Sequence, residues 1–577
     1  MENNTIDNYR KNRQPGQEKI LLVVLPYWTP AIPPAGISCL KSFLQQHKYR
    51  VKCVDANVEP PLREIYDKYF NTLKSFIPQE KQSIFDNIGK EVWQNHMMVH
   101  LNYVNEKRYV ELVKTLVYET FYWKIYDHQV YRLNRIVAEN YVLLEKYIDD
   151  LLEKEKPTLL GISVFIGTTA ASLFAFQRAK KKYPHLLTVM GGAIFSGPLA
   201  PGSPNLEYFL EKTRNYIDKI IIGEGEILFL KLLQGKLPPQ QRVFTLTDIG
   251  GKVLDLSTVK VMEMSDFNLP YYPYLASYAS RSCPYQCKFC SESILWGIYR
   301  RKSARQVVDE LNQLYRRHGY QLFVMTDVLM NPMVTELAET FIESDLSIYW
   351  DTHFRVDKQS GHPEKTMLWR RGGLYRVELG VESGSQSILD AMGKKITVEQ
   401  IKNALSALAY AGIKTTTYWI IGYPGETEQD FQLTLDLVEE IKDDIYEAEL
   451  NPFWYVPGGQ VNADAWAKQG KPLYPETAKD LLIVQQWILT GEPTREERYD
   501  RANRFTAHCR QLGIPNPYSL NEIYIADKRW KRLHENSVPA LMEFKQKGVY
   551  IDENKRLKTI NTVSDSLQHD GDWGFGS

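Results

Sequence analysis

A chain of 577 residues is too long for a single hydrophobic core, which predicts about two to four domains. Hydrophobic residues make up 44% and charged residues 24%, the balance of a soluble globular protein. Lys and Arg total 70, as do Asp and Glu, so net charge gives no ground for a nucleic-acid or anionic-membrane partner, and no apolar run approaches the about 18 residues of a membrane span.

Residues 1–18 are polar, carry no apolar segment of the secretory type, and read as a disordered arm on a cytoplasmic protein. The run "KILLVV" predicts a strand buried on both faces. A proline-rich loop, the helix-like "AGISCLKSFLQQHKY" and the strand "RVKCVDAN" complete a parallel βαβ unit. Residues 60–155 are aromatic, charged and helical in period, and read as a helical insertion. The βα rhythm then resumes to residue 235, so 19–235 is expected to be a Rossmann-like, doubly wound domain. Such a sheet binds ligands at the carboxyl ends of its strands. Those ends carry Pro26-Tyr27-Trp28, Gly167-Thr168-Thr169, Gly191-Gly192 and Gly223-Glu224-Gly225. Residues 236–270 are expected to be a linker holding a small hairpin turned at Gly250-Gly251.

A second βα series occupies 271–464, opening on the strand "YLASYASRSC". Capping boxes are expected at Ser303/Gln306 and Thr397/Gln400, a helix cap near Thr427, and a stop at Gly412. About six strand–helix units fit a (β/α)6-type partial or full TIM barrel with its chemistry at the carboxyl ends of the strands. Residues 465–577 are mixed, and "DGDWGFGS" reads as a flexible tail.

Three of the six cysteines fall in "RSCPYQCKFC": Cys283, Cys287 and Cys290, just after the first strand of this series. Clustered thiols in a reducing compartment point to metal or redox chemistry. Structural zinc closes with four protein ligands, usually as two separated pairs, and no second CxxC exists. Three thiolates in one loop leave one iron of a four-iron cluster open for a small chelating ligand. Cys39, Cys53 and Cys509 stand singly and read as buried structural thiols.

CxxxCxxC after the first strand of a β/α barrel resembles the radical S-adenosylmethionine (SAM) superfamily. Phe289 before the last cysteine matches, as do "DVLMN" with Asp327 and Asn331, "LGVESGS" with Glu382 and Ser383, and "WIIGYPGE" with Ile421, Gly422 and Pro424. A doubly wound domain ahead of that barrel resembles the cobalamin-binding subfamily. The resemblance implies a 4Fe–4S cluster on the three cysteines and SAM at the other eight residues. It implies cobalamin at the glycine-rich strand ends of the first domain. The family's D-x-H-x-x-G loop is absent: "DANVEPP" has no histidine, and His47, His96, His100, His128 and His185 lie outside the pattern, so either cobalamin binds without a protein imidazole, which is the expectation, or the domain is degenerate and empty.

The implied activity is C-methylation at an unactivated carbon through a 5'-deoxyadenosyl radical and methylcobalamin, with no catalytic acid or base required. Ring contraction, cyclisation or oxidation is the alternative, and a zinc-binding or sensory protein on a Rossmann-like scaffold is the third reading. A small-molecule, peptide or carrier-bound substrate and a flavodoxin or ferredoxin as electron donor are implied. Tyr418, Trp419, Trp454 and Tyr455 are candidates for the substrate pocket. The insertion 60–155 and the region 465–577 are where selectivity is expected.

Overall fold

The structure is a computed structural model describing residues 18–344, 346–518 and 520–537; the expected arm (apart from Glu18) and tail lie outside them. Two six-stranded parallel sheets organise the chain. The first contains β1 (Lys19–Val24), β2 (Arg50–Asp55), β3 (Leu159–Ser163), β4 (Leu187–Gly191), β5 (Lys219–Ile221) and β6 (Val243–Phe244), in the order β2-β1-β3-β4-β5-β6. From Ile20 to Val24 every residue of β1 is buried, because strands pair on both of its edges and helices cover its faces. The order reverses between β1 and β3, the topological switch point at which ligands bind.

The hairpin expected within residues 236–270 does not form. Val243–Phe244 pairs in parallel with β5 as the sixth strand of the first sheet. Gly250, at φ +70°, instead ends a short 3-10 turn whose Thr245 and Asp248 cap one another. The local turn signal lost to the exposed edge of β5, which offered a better partner.

The insertion is four helices: Pro60–Lys74, Phe85–Asn102, Glu106–Phe121 and Asp127–Glu155. Its aromatic content is core. Tyr66 stacks on Tyr27 at 3.7 Å, and His96 sits buried between the hydroxyls of Tyr69 and Tyr109. Burial holds the His96 imidazole neutral, down to about 3, as a packing histidine.

The second sheet runs in sequence order: β7 (Leu275–Ser277), β8 (Leu322–Met325), β9 (Tyr349–Arg355), β10 (Leu374–Glu382), β11 (Lys414–Ile421) and β12 (Glu447–Pro452). Six strands with β7 and β12 at the edges make a partial barrel. The first strand is shorter than "YLASYASRSC" suggests; Ser280–Arg281 turns away to pair with Arg300–Arg301. Thr397 and Gln400 form the expected capping box, and Thr427 caps its helix with Asp430. At Ser303 only half of the box forms, because the Gln306 side chain bonds the Leu256 carbonyl and Glu310 instead. The region after residue 465 contributes Arg495–Gln511, packed on β11 and β12, and Leu520–Leu533, whose Asp527 accepts from Lys414 at 2.5 Å.

Candidate functional site

The cysteine loop leaves β7 at the carboxyl end of the partial barrel. Asp327, at the end of β8, accepts from the Ala279 amide at 2.9 Å and from the Ser280 hydroxyl at 2.5 Å, fixing the chain two steps before Arg281. Burial pushes the Asp327 carboxyl up to about 6 against those bonds. The far side of the loop is held by residues that sequence reading missed. Lys288 N donates to Met392 O at 2.9 Å, Val461 N to Cys290 O at 3.1 Å, and Gln460 Nε2 to Phe289 O at 2.9 Å. Their signal was weak, since backbone partners carry no side-chain signature.

None of the six cysteines forms a disulfide. Burial raises the Cys283 thiol and pushes Cys290 up to about 12, so a thiolate there calls for a cation bound to it. Cys287 Sγ already accepts from Arg355 Nη1 at 3.2 Å. Among the described residues no three His, Cys, Asp or Glu side chains are gathered closely enough to hold a single metal ion. A cluster takes one thiolate per iron and does not require the sulfurs to meet at one point, so the donor set fits it.

The remaining expected SAM residues surround the same mouth. Glu382, at φ +70° in a register irregularity of β10, pairs with Lys394 at 2.5 Å above Gly380. A Cβ on Gly380 would come within 2.5 Å of Glu382 Oε1 and 2.7 Å of Lys394 Nζ, so glycine there makes room for the pair. Ser383 is turned away from the mouth; its hydroxyl accepts from the Ser385 amide and meets Thr434. Asn331 is spent on the backbone of Arg355. Ile421 is buried, Gly422 at φ +77° donates its amide to Glu426 at 2.9 Å, and Pro424 is half-buried.

Inside the barrel, alternate residues face the lumen; Leu322 and Val324 of β8 are apolar there, but on β9 to β12 the facing residues are mostly polar. Asp351, His353, Arg376, Glu378, Tyr418 and Glu447 replace the branched apolar layers that ordinarily fill such a barrel. Arg376 Nη2 lies 2.6 Å from Asp351; Glu378 accepts from Tyr418 at 2.6 Å and contacts His353 Nε2 at 3.0 Å. His353 Nδ1 meets the Asp327 carbonyl at 3.0 Å. Burial pushes Asp351 up to about 6 and Glu447 to about 7. Burial also works against charge on His353, but Glu378 and the Asp327 carbonyl outweigh it and its pKa is raised. The groups facing it are Glu378, Tyr418, Asp351 and Glu292.

Of the four pocket candidates, only Tyr418 faces the lumen. Trp419 points outward onto Phe505, its Nε1 donating to Thr417. Tyr455 is packed with Trp466 in a buried aromatic cluster, and Trp454 lies on the rim, 38% exposed. The period of 2 decides this: Tyr418 and Trp419 are neighbours in sequence and so face opposite sides.

A raised pKa on His353 sets a sign. The charged imidazolium contributes stability that is fully present below the ordinary 6.5 and lost as pH rises through the folded value. His353→Gln is therefore expected to flatten the fall in melting temperature on going from about pH 6 to about pH 8. A variant with the same slope as the parent overturns this.

The carboxyl edge of the first sheet faces the cysteine region. Trp28 stacks on Phe165 at 4.3 Å, and its amide donates to Asn57. Gly167, with Tyr27 O 2.7 Å from a would-be Cβ, and Gly192, at φ +113° with Val164 N 2.3 Å from one, allow close backbone approach between loops. Thr168 and Thr169 bond the Phe165 carbonyl, and Gly191 ends β4. Pro26 begins the loop that carries Tyr27. Ile222, Gly223, Phe195 and Thr245 from the first domain line a cleft of ≈ 180 Å³ with Ser291, Ile294 and Leu295 from the helical segment after the cysteines. Gly223, at φ +87°, has only Leu295 O within 4 Å of a would-be Cβ, so its missing side chain leaves that cleft open. Glu224 departs from its expected place as a ligand residue. It accepts from Arg281 at 2.5 Å and from the Leu254 amide, while Gly225 opens a helix.

Residues 277–438 match the family profile described as the radical SAM superfamily. Over 330 residues the chain is 27% identical to the anaerobic magnesium-protoporphyrin IX monomethyl ester cyclase of Rubrivivax gelatinosus, spanning 52% of this chain and 58% of that relative. The match thus covers little more than half of that relative. Among solved structures, the radical SAM methyltransferase TsrM of Kitasatospora setae, with tryptophan and aza-SAM bound, aligns at TM-score 0.58 and 14% identity over 87% of this chain and 90% of that one. OxsB with aqua-cobalamin and SAM aligns at TM-score 0.55 and 14% identity over 96% of this chain and 84% of that one. At these identities the structures establish a shared fold. No helix among the described residues is long and apolar enough to cross a membrane.

Proposed function

From a chain that carries a radical SAM superfamily domain, we propose a cobalamin-dependent radical SAM enzyme that methylates an unactivated carbon of a small molecule. The observation that carries this reading is the opposition of two sites. The segment Ser291–Leu295, which follows a three-cysteine loop at the mouth of a partial barrel, shares a cleft with Ile222 and Gly223 at the carboxyl edge of a doubly wound sheet. When bound, a 4Fe–4S cluster supplies the electron that cleaves SAM, and cobalamin supplies a transferable methyl group.

The chain's own residues bind, orient and exclude water. Cys283, Cys287 and Cys290 would hold three irons of the cluster. The Glu382–Lys394 pair takes the amino and carboxylate groups of SAM, and the backbone at Ile421, Gly422 and Pro424 takes adenine. Phe289, lying 5.8 Å under Lys394 Nζ, closes that side. Asp327, Asn331 and Ser383 act one step back, through the backbone they hold. Tyr27, Trp28, Gly167, Gly192 and Gly223 would border a bound corrin; Asn57 nearby is occupied by Trp28 and Asp55. The polar lumen around His353 and Tyr418 receives the substrate. Flavodoxin or ferredoxin would approach exposed Lys288 on a cytoplasmic protein.

Cyclisation or oxidation is the second reading, favoured by similarity to the cyclase and by an ionisable lumen that carbon methylation does not require. One experiment separates them. Anaerobically reconstituted protein, loaded with hydroxocobalamin, is assayed for iron, sulfide and corrin, then supplied with trideuteromethyl-labelled SAM and candidate substrates. Methylation yields S-adenosylhomocysteine alongside 5'-deoxyadenosine and a product heavier by one labelled methyl. Loss of hydrogen without S-adenosylhomocysteine selects the second reading, and a protein that retains no corrin overturns both.

A further inference from the structure

Arg355 ends β9 and reaches the cysteine loop. Its Nη1 lies 3.2 Å from Cys287 Sγ, and its guanidinium covers the Tyr285 ring at 4.2 Å. The residue is only 6% exposed, and it makes no ion pair among the described residues. A buried guanidinium without a carboxylate is costly unless other negative charge comes to it. The nearest source is the group held by the thiolates themselves.

The position of Arg355 is fixed from below. Asn331 Oδ1 accepts from its amide at 2.9 Å, and Asn331 Nδ2 donates to its carbonyl and to Asp357, each at 2.8 Å. The "DVLMN" loop therefore holds a cation against one of the three sulfurs. Lysine would carry the charge but not the planar, pre-organised fork that covers Tyr285 while donating to sulfur.

We infer that Arg355 sets the reduction potential of the cluster held by Cys283, Cys287 and Cys290, an inference that rests on the cluster reading above. Reduction adds one electron to a group already made negative by its thiolates. A fixed cation and an N–H···S bond stabilise the reduced state more than the oxidised one, because the attraction grows with the negative charge. The effect is a more positive midpoint than the same loop would have alone. Arg355 acts here as a tuning residue through Cys287.

The test uses the full chain, reconstituted anaerobically, as wild type, R355K, R355Q and R355M. Iron and sulfide are measured first; each sample is then titrated against low-potential mediators, with the reduced cluster followed by electron paramagnetic resonance. R355M and R355Q are expected to keep full iron and shift the midpoint negative, with R355K between them and the wild type. Full iron with unchanged midpoints overturns the inference. So does loss of the cluster from all three variants, which makes Arg355 a structural support of the loop. A wild type without iron and sulfide overturns the cluster reading itself and this inference with it.

Discussion

Alanine in place of Cys283, Cys287 or Cys290 is expected to abolish the 4Fe–4S cluster and with it all cleavage of SAM. Each thiolate would hold one iron, and the loop has no spare ligand. The other thiols cannot substitute. Cys39 packs against the first domain's core with its thiol pushed up to about 11 by burial, and Cys53 donates to the Ile37 carbonyl. Cys509 is buried on the Arg495–Gln511 helix, and burial raises its thiol strongly. Iron and acid-labile sulfide per chain, with the visible charge-transfer absorption, provide the measurement. C509S serves as the control and is expected to keep a full cluster. A single loop variant that retains iron at the parental level sinks the assignment.

The largest expected loss of stability is at Arg281, two residues before that loop. Its guanidinium bridges Glu224 and Glu226 at 2.5 Å each, and all three side chains are at most 9% exposed. Arg300 shares Glu224 at 3.1 Å. Removing the central cation leaves two buried carboxylates short of charge, an arrangement that costs about 3–5 kcal/mol. R281M is therefore expected to melt several degrees lower than the parent, read as an operational midpoint because a multidomain chain need not unfold in one step.

The pH dependence separates this from loss of packing. Burial opposes the Glu226 charge, but Arg281 outweighs it and holds the carboxyl below its ordinary 4.5. In the parent, Glu226 thus contributes stability above that value that is lost as pH falls through the folded pKa. Without Arg281 burial dominates and the sign reverses, so protonation relieves the buried charge. The deficit of R281M should shrink between about pH 7.5 and about pH 5. A deficit independent of pH would mean that only packing was lost. The same clamp ties the Gly223–Glu226 stretch to the root of the cysteine loop, so the two halves of the site share one charge network.

Much of this was legible in the chain. Continuous apolar runs identified the parallel strands, since a strand covered on both faces has no polar side to show. The 3.6-residue period pointed to a helical insertion over 60–155, where the structure has four helices, and the caps at Thr397 and Thr427 formed where the side-chain chemistry required them. The hairpin at Gly250-Gly251 was misread because a turn signal is local, whereas pairing with β5 is decided across the sheet. Of the aromatic pocket candidates, Trp419 and Tyr455 lie in packing, because aromatic residues near a site look alike until strand facing separates lumen from packing. His353 stood out in no motif, and its importance comes from Glu378 and the Asp327 carbonyl, held on different strands.

The sequence by itself determined the cysteine spacing, the two βα series and the glycines that allow loops to approach closely, because these depend on residues near one another along the chain. The tertiary structure decided that Glu224 and Glu226 clamp Arg281, that Asn331 fixes Arg355 against Cys287, and that the barrel lumen is charged. Each of those joins residues separated by tens of positions, and a buried charge acquires its function only from the partners that folding brings within hydrogen-bond distance.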